Sequence, residues 1–207
     1  VPKYCHVSPI MKEENGSKRK LSKRKDPEAA VHFYAEQGYP ADSVTEYLLT
    51  IANTDCEDWR RANPTLSNKE FKLNLKKMCV SGALFDIVKL NDVSKNVISK
   101  FTADRVVSEL LDWAKEYDTD YYALLSRDIE FTKNIFNIDR DTPKPRKDIA
   151  KWNDAKEYSA YFFDELYHNN YELPEKLNAS DAVNVLTEYL SVYDEKDSKE
   201  EWFNKIK

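Results

Sequence analysis

Five consecutive residues, Lys20-Leu21-Ser22-Lys23-Arg24, carry the most pointed chemistry in this sequence. They end a hydrophilic, strongly basic stretch from Lys12 to Lys25 that reads as a loop, and a helix start follows at once. Two lysines flanking a serine suit a polyphosphate. When a carboxylate attacks the α-phosphate of ATP, negative charge builds on the departing pyrophosphate, and cations aimed there stabilise the transition state. One such donor contributes about 2.7–4 kcal/mol. Gly16 and Ser17 would help such a loop close on a nucleotide and reopen. The competing reading is a solvated basic loop, because short lysine-rich runs are common by chance.

A second basic cluster, Lys144-Pro145-Arg146-Lys147, lies in a break from Asp139 to Lys147 between long helical patterns. Arginine forks suit phosphates and guanine edges, and unpaired RNA bases are read by stacking and edge hydrogen bonds. An ordinary basic turn is the alternative. Tyrosine is abundant, with Tyr121-Tyr122 and the Tyr158/Tyr161 pair as stacking candidates, but their helical spacing favours core packing. Trp59-Arg60-Arg61 could touch a nucleic acid, although a cation–π contact or plain packing is commoner. His6 reads as a packing residue, Asp86 as a helix cap and Asp194-Glu195-Asp197 as a solvated acidic turn.

The elements that position these residues read as helices. Only three glycines occur, at 16, 38 and 82, fewer than hairpin-rich architectures use. Asp26-Pro27-Glu28 has the order of N-cap, first helical position and helix-dipole acid. Ala30, Val31, Tyr34 and Ala35 would face inward, and Gly38 would close the helix. Val44, Tyr47, Leu48 and Ile51 form one apolar stripe on the next. Ser67 to Glu70 is a capping-box pattern, and Ser81-Gly82-Ala83 is a small-residue break before a helix running to about Ile98. Thr102 caps a long helix with Val106, Val107, Leu110, Leu111 and Ala114 inward. Further helical patterns span about 119–138, 154–168 and 180–193. Pro143 and Pro145 must interrupt helix between them. Ser198 to Glu201 opens a last helix that barely begins.

Composition excludes several classes. No run of 18 apolar residues exists, so no transmembrane helix is expected, and the start lacks the apolar core of a signal peptide. Cys5, Cys56 and Cys79 are few, odd in number and far apart, and His6, His32 and His168 are scattered. A disulfide framework and a metal site are therefore not expected. Net charge is −5, yet residues 1–25 carry +6, leaving −11 on the rest. That distribution opposes nonspecific coating of nucleic acid but leaves room for a local patch.

Four pieces, in order, resemble class I aminoacyl-tRNA synthetases, and bacterial-type glutamyl-tRNA synthetases most of all. They are Val1 to Val7, similar to the strand before the signature; Lys20 to Lys25, the signature itself; Tyr34 to Leu49, with Gly38-Tyr39-Pro40 and Glu46-Tyr47; and Ser81 to Asp86 with Lys89-Leu90. The family's first signature, of His-Ile-Gly-His type, is absent. The resemblance implies a mainly α chain with three parts. Residues 1–25 would end a catalytic domain, 26–100 form a stem-contact-like domain, and 101–207 begin an all-helical anticodon-binding region, with truncation at both ends. It implies ATP binding by Lys20, Leu21, Ser22, Lys23 and Arg24, with Lys23 as the phosphate-stabilising lysine, and tRNA binding by Arg146 with Lys144 and Lys147. Glutamate, ATP and Mg would be handled mainly upstream, in a cytoplasmic parent with no DNA or membrane partner, and this chain alone would be inactive. The glutamine branch has a β-rich anticodon region, which the helical pattern after residue 100 opposes. The alternatives are a free-standing helical tRNA- or RNA-binding module without catalysis, and a helical protein-interaction domain.

Overall fold

The computed structural model describes residue 4 and residues 7–78, 81–168 and 172–207. The expected strand over Val1 to Val7 falls mostly outside the described residues, as do His6, Cys5 and Cys79. The fold is mainly helical, with ten α-helices and one two-stranded sheet among the described residues. The chain divides into two compact units, Val1–Tyr167 and His168–Lys207.

The sheet corrects the reading of Lys12 to Lys25 as loop. Strands β1 (Met11–Glu14) and β2 (Ser17–Lys20) pair antiparallel, with Met11 opposite Lys20 and Lys12 opposite Arg19. Asn15 and Gly16 take φ of 52° and 75°. Two consecutive left-handed residues match the right-handed twist of the flanking strands, and Asn-Gly adopts that pair at least cost. Gly16 and Ser17 are thus turn and ladder, not the mobile joint their small size suggested.

Asp26-Pro27-Glu28 opens a single 3-10 turn over Pro27–Ala29, and Asp26 makes no capping bond there. Helix α1 (Val31–Gln37) starts later, with Tyr34 packed inward while Val31 and Ala35 are exposed. Gly38 does close it, at φ 81°. A Cβ on Gly38 would stand 2.7 Å from the Cβ of Trp152. The Trp152 N–H donates to the Gly38 carbonyl at 2.9 Å, and the Trp113 indole N–H donates to the Glu36 carbonyl at 3.1 Å.

Helix α2 (Ala41–Ala52) buries Tyr47 but leaves Leu48 exposed. Helix α3 (Cys56–Ala62) follows, and the capping box at Ser67 serves only a 3-10 turn, Asn68–Glu70. Gly82 has φ 87°, and a Cβ there would meet the Pro9 carbonyl oxygen at 2.6 Å, which only glycine avoids. This close approach lets the Met11 N–H donate to the Ala83 carbonyl and the Phe85 N–H to the Met11 carbonyl, each at 2.7 Å. The hairpin is thereby fastened to the start of α4 (Ile87–Ile98), where Asp86 caps as expected, accepting from Val88 and Lys89. The Asp86 N–H donates to the Tyr47 hydroxyl at 2.7 Å, and burial pushes that hydroxyl's pKa up to about 12.

Tyr39, Tyr47 and Leu90 make one apolar cluster. A larger one forms around α5 (Ala103–Tyr117), capped by Thr102, with Val106, Val107, Leu110 and Ala114 buried. Each full burial of a Val or Leu side chain contributes about 1.5–3 kcal/mol. The pattern over 119–138 is two helices, α6 (Thr119–Arg127) and α7 (Ile129–Asn137), split where the Asp128 carboxylate accepts from the Phe131 N–H at 2.9 Å. No helix spans 139–147, in keeping with the prolines. Helix α8 (Ala155–Ser159) and its 3-10 extension end at Phe162, short of 168.

In the second unit, Asn178 caps α9 (Ala179–Val192), and α10 (Lys199–Lys205) carries the expected capping box of Ser198 and Glu201. Val183, Leu186 and Leu190 are exposed. The Trp202 indole donates to the Tyr189 hydroxyl at 3.1 Å. No helix among the described residues is long and apolar enough to cross a membrane.

Candidate functional site

The hairpin delivers the signature residues to a tight turn. Lys20 ends β2, and the Leu21 N–H donates to the Ile10 carbonyl at 2.9 Å. The Ser22 carbonyl then accepts from the N–H groups of Lys25 at 3.0 Å and Asp26 at 2.8 Å. In return, the Ser22 N–H donates to the Asp26 carboxylate at 2.8 Å. Ser22 and Asp26 thus hold each other through backbone and side chain at once. Lys23, Arg24 and Lys25 form the tip, with exposed side chains.

Register explains why Asp26 sits where it does. Lys12 and Arg19 are directly opposite across the ladder, and like charges so placed repel. Asp26, only 2% exposed, lies against both. Arg19 donates to its two oxygens at 2.6 and 2.8 Å, and the Lys12 ammonium is 3.4 Å away. Arg19 also donates to Glu14 at 2.6 Å, and Lys12 bonds to Glu28. The forked arginine contact holds the Asp26 carboxyl well below the usual carboxylate range, against the opposing effect of burial, and raises Arg19 in turn. Burying a charge is tolerated when it is paired and hydrogen-bonded in this way.

The basic run therefore separates into two sets. Lys12 and Arg19 are spent on Asp26, Glu28 and Glu14. Among the described residues, Lys18, Lys20, Lys23, Arg24 and Lys25 form no ion pair with a carboxylate. Sequence reading missed Arg19 and Asp26 as partners. Asn15-Gly16 was the signal that would have set the register and brought Arg19 over the turn.

The cations of the break from Asp139 to Lys147 also differ in their partners. Arg140 is held among carbonyls, donating to Phe136 at 2.7 Å, Ile98 at 2.8 Å and Phe101 at 3.1 Å, so it ties the ends of α7 and α4 together. Arg146 is exposed and donates to Asp148 at 2.7 and 3.3 Å, which raises its pKa. Lys144 and Lys147 are exposed and form no ion pair among the described residues. Arg146 and Asp148 border an open groove of about 550 Å³ shared with Glu157, Tyr158, Tyr161 and Phe162. Tyr161 is 76% exposed, whereas Tyr158 stacks on Phe136 and Tyr121 is buried with its hydroxyl on the Ala155 carbonyl and Ser159.

Other candidates resolve into structural roles. Arg60 forks onto Glu46 at 2.8 Å through two nitrogens and stacks over Trp59, and Arg61 pairs with Asp58. Asp197 is not a freely solvated acid, because Lys205 reaches both its oxygens at 2.7 Å. No group of three or more His, Cys, Asp or Glu side chains among the described residues is placed to hold a metal.

A helical body carrying a hairpin-borne Lys-Leu-Ser-Lys-Arg turn resembles the class I aminoacyl-tRNA synthetases. No protein-family model matches the chain. Over 210 residues it is 49% identical to a glutamate–tRNA ligase of Clostridium perfringens, an alignment covering 100% of this chain and 38% of that protein. Glutamate–tRNA ligases of Clostridium beijerinckii and Acetivibrio thermocellus are 46% and 43% identical, again over 100% of this chain and 38% of their own length. The chain is similar along its whole length to these glutamate–tRNA ligases, and it spans 38% of their length.

Proposed function

We propose that this chain is the C-terminal-side part of an ATP-dependent ligase that attaches glutamate to its tRNA. In the whole enzyme a glutamate carboxylate oxygen attacks the α-phosphorus of ATP. The bond to the β-phosphate bridge breaks, pyrophosphate leaves, and glutamyl-adenylate forms. A ribose hydroxyl at the tRNA terminus then attacks the acyl carbon and releases AMP. Lys23, with Lys20 and Arg24 beside it, stabilises the charge that builds on pyrophosphate, and the Ser22 hydroxyl donates to a phosphate oxygen. Arg146, with Lys144 and Lys147, contacts the tRNA, so that residues after about 100 serve anticodon recognition and residues 26–100 the stem. The adenosine part of ATP, Mg and the glutamate pocket belong to the nucleotide-binding half, and the enzyme works in the cytoplasm.

The observation that carries this reading is that, among the described residues, the cations of the signature stand without an ion pair on a turn closed from its base by Asp26. Lys12 and Arg19, the two cations against Asp26, are neutralised, whereas Lys20, Lys23 and Arg24 are not; Lys18, exposed in β2, is also without an ion pair among the described residues. The test is ATP–pyrophosphate exchange by the full-length enzyme with glutamate and tRNA. Lys23→Ala is expected to slow exchange by about 10²–10³, and an unchanged rate would overturn the assignment. The 207-residue chain alone is expected to show no exchange.

A further inference from the structure

We propose that Asp26 is a positioning residue for the signature turn, fixing where Lys23 and Arg24 point by locking Ser22 and Arg19 in place. The inference rests on the assignment of that turn to pyrophosphate stabilisation and adds a residue that the sequence reading gave only a capping role.

Three observations carry it. Asp26 precedes a 3-10 turn yet makes no capping bond, so its carboxylate serves something else. It faces back across the turn, accepting from the Ser22 N–H at 2.8 Å and from both Arg19 terminal nitrogens. Its own N–H returns a bond to the Ser22 carbonyl at 2.8 Å, which leaves Lys23 to Lys25 as the tip of a closed ring. Arg19 in turn is fixed by its place in the ladder opposite Lys12 and by Glu14. The orientation of the tip is therefore set from its base, by a buried group that does not itself reach the tip. Cations lower a barrier only when aimed at the developing charge, and a displacement of about 1 Å can cost about 10²-fold in rate.

The rival account is that Asp26 merely tempers the positive potential of the turn. The two accounts predict opposite signs for Asp26→Asn. Removing a negative charge beside a cationic tip would strengthen attraction for ATP and pyrophosphate, raising exchange or lowering KM. Loss of positioning lowers kcat instead. We expect Asp26→Asn in the full-length enzyme to lower kcat for ATP–pyrophosphate exchange about tenfold or more, with KM for ATP within about threefold of the parent. In the 207-residue chain, the Ser22 amide is expected to lose its protection from hydrogen exchange in the same variant. Arg19→Lys keeps the charge but removes the fork, and is expected to give a smaller loss of both kcat and protection. It also decides the matter if Asp26→Asn fails to fold.

An unchanged or raised kcat in Asp26→Asn, or in Arg19→Lys where only that variant folds, overturns the positioning role provided Lys23→Ala still disables exchange. If Lys23→Ala is itself silent, the assignment of the turn has failed, and the positioning role falls with it.

Discussion

Two basic segments of this chain, the hairpin with its turn at 11–26 and the break at 139–147, solve the problem of concentrated positive charge differently. In the hairpin a buried carboxylate sits between two cross-strand cations and also closes the turn, so the free cations stand on a fixed base. In the break the fastening cation is Arg140, whose partners are carbonyls at the ends of α7 and α4, and the acid next to the cluster, Asp148, pairs with the very arginine expected to reach RNA. Placement of carboxylates decides which cations are free for a ligand, and the local count of lysine and arginine does not.

Four variants test that contrast. The largest effect is expected from Gly82→Val, which forces a side chain into the Pro9 carbonyl at a left-handed position and detaches the hairpin from the start of α4. A loss of about 3 kcal/mol in urea unfolding is expected, against about 1 kcal/mol for Gly16→Ala, where φ alone is unfavourable and nothing lies within 4 Å. Equal losses would mean the hairpin is not fastened there. Next, Arg146→Ala in the full-length enzyme is expected to weaken tRNA binding by about 1–3 kcal/mol. Asp148→Asn, which frees the guanidinium, is expected to strengthen it by about 0.2–1 kcal/mol. Weaker binding in Asp148→Asn would show that the ion pair serves recognition.

The smallest effect concerns acid. The folded-state pKa of Asp26 is depressed, so its contribution is complete above the unfolded value of about 3.9 and disappears as pH falls through the folded value. Protection of the Ser22 amide is therefore expected to be flat from pH 7 down to about 4 and to fall only below it. A midpoint near 5 in hydrogen exchange would mean that Arg19 does not hold the carboxylate.

The helices were largely legible because their signals are local. Thr102 and Asp86 cap where their residue types say, and the inward face of α5 follows from spacing alone. The failures share a physical cause. Asp128 splits the 119–138 pattern without disturbing its apolar period, since Leu125, Ile135 and Phe136 are buried on both sides of the cut. The hairpin was hidden because its outward residues are Lys, Glu and Arg on both faces, so no apolar alternation marked it, and Asn15-Gly16 was outweighed by charge. Asp26 was misread because the residue that caps a helix is chemically the same as one that clamps a turn. Only the register of Lys12 against Arg19 separates the two roles.

The bonds from Trp113 to Glu36 and from Trp152 to Gly38 have a mechanical consequence. The segment that leaves the signature turn ends in a fixture, not a swivel. The end of α1 is held at two successive points, by the Trp113 indole of α5 at Glu36 and by the Trp152 backbone N–H at Gly38. With Trp59 and Trp202 replaced by Phe, the emission of the two remaining indoles would report any slippage at that seam.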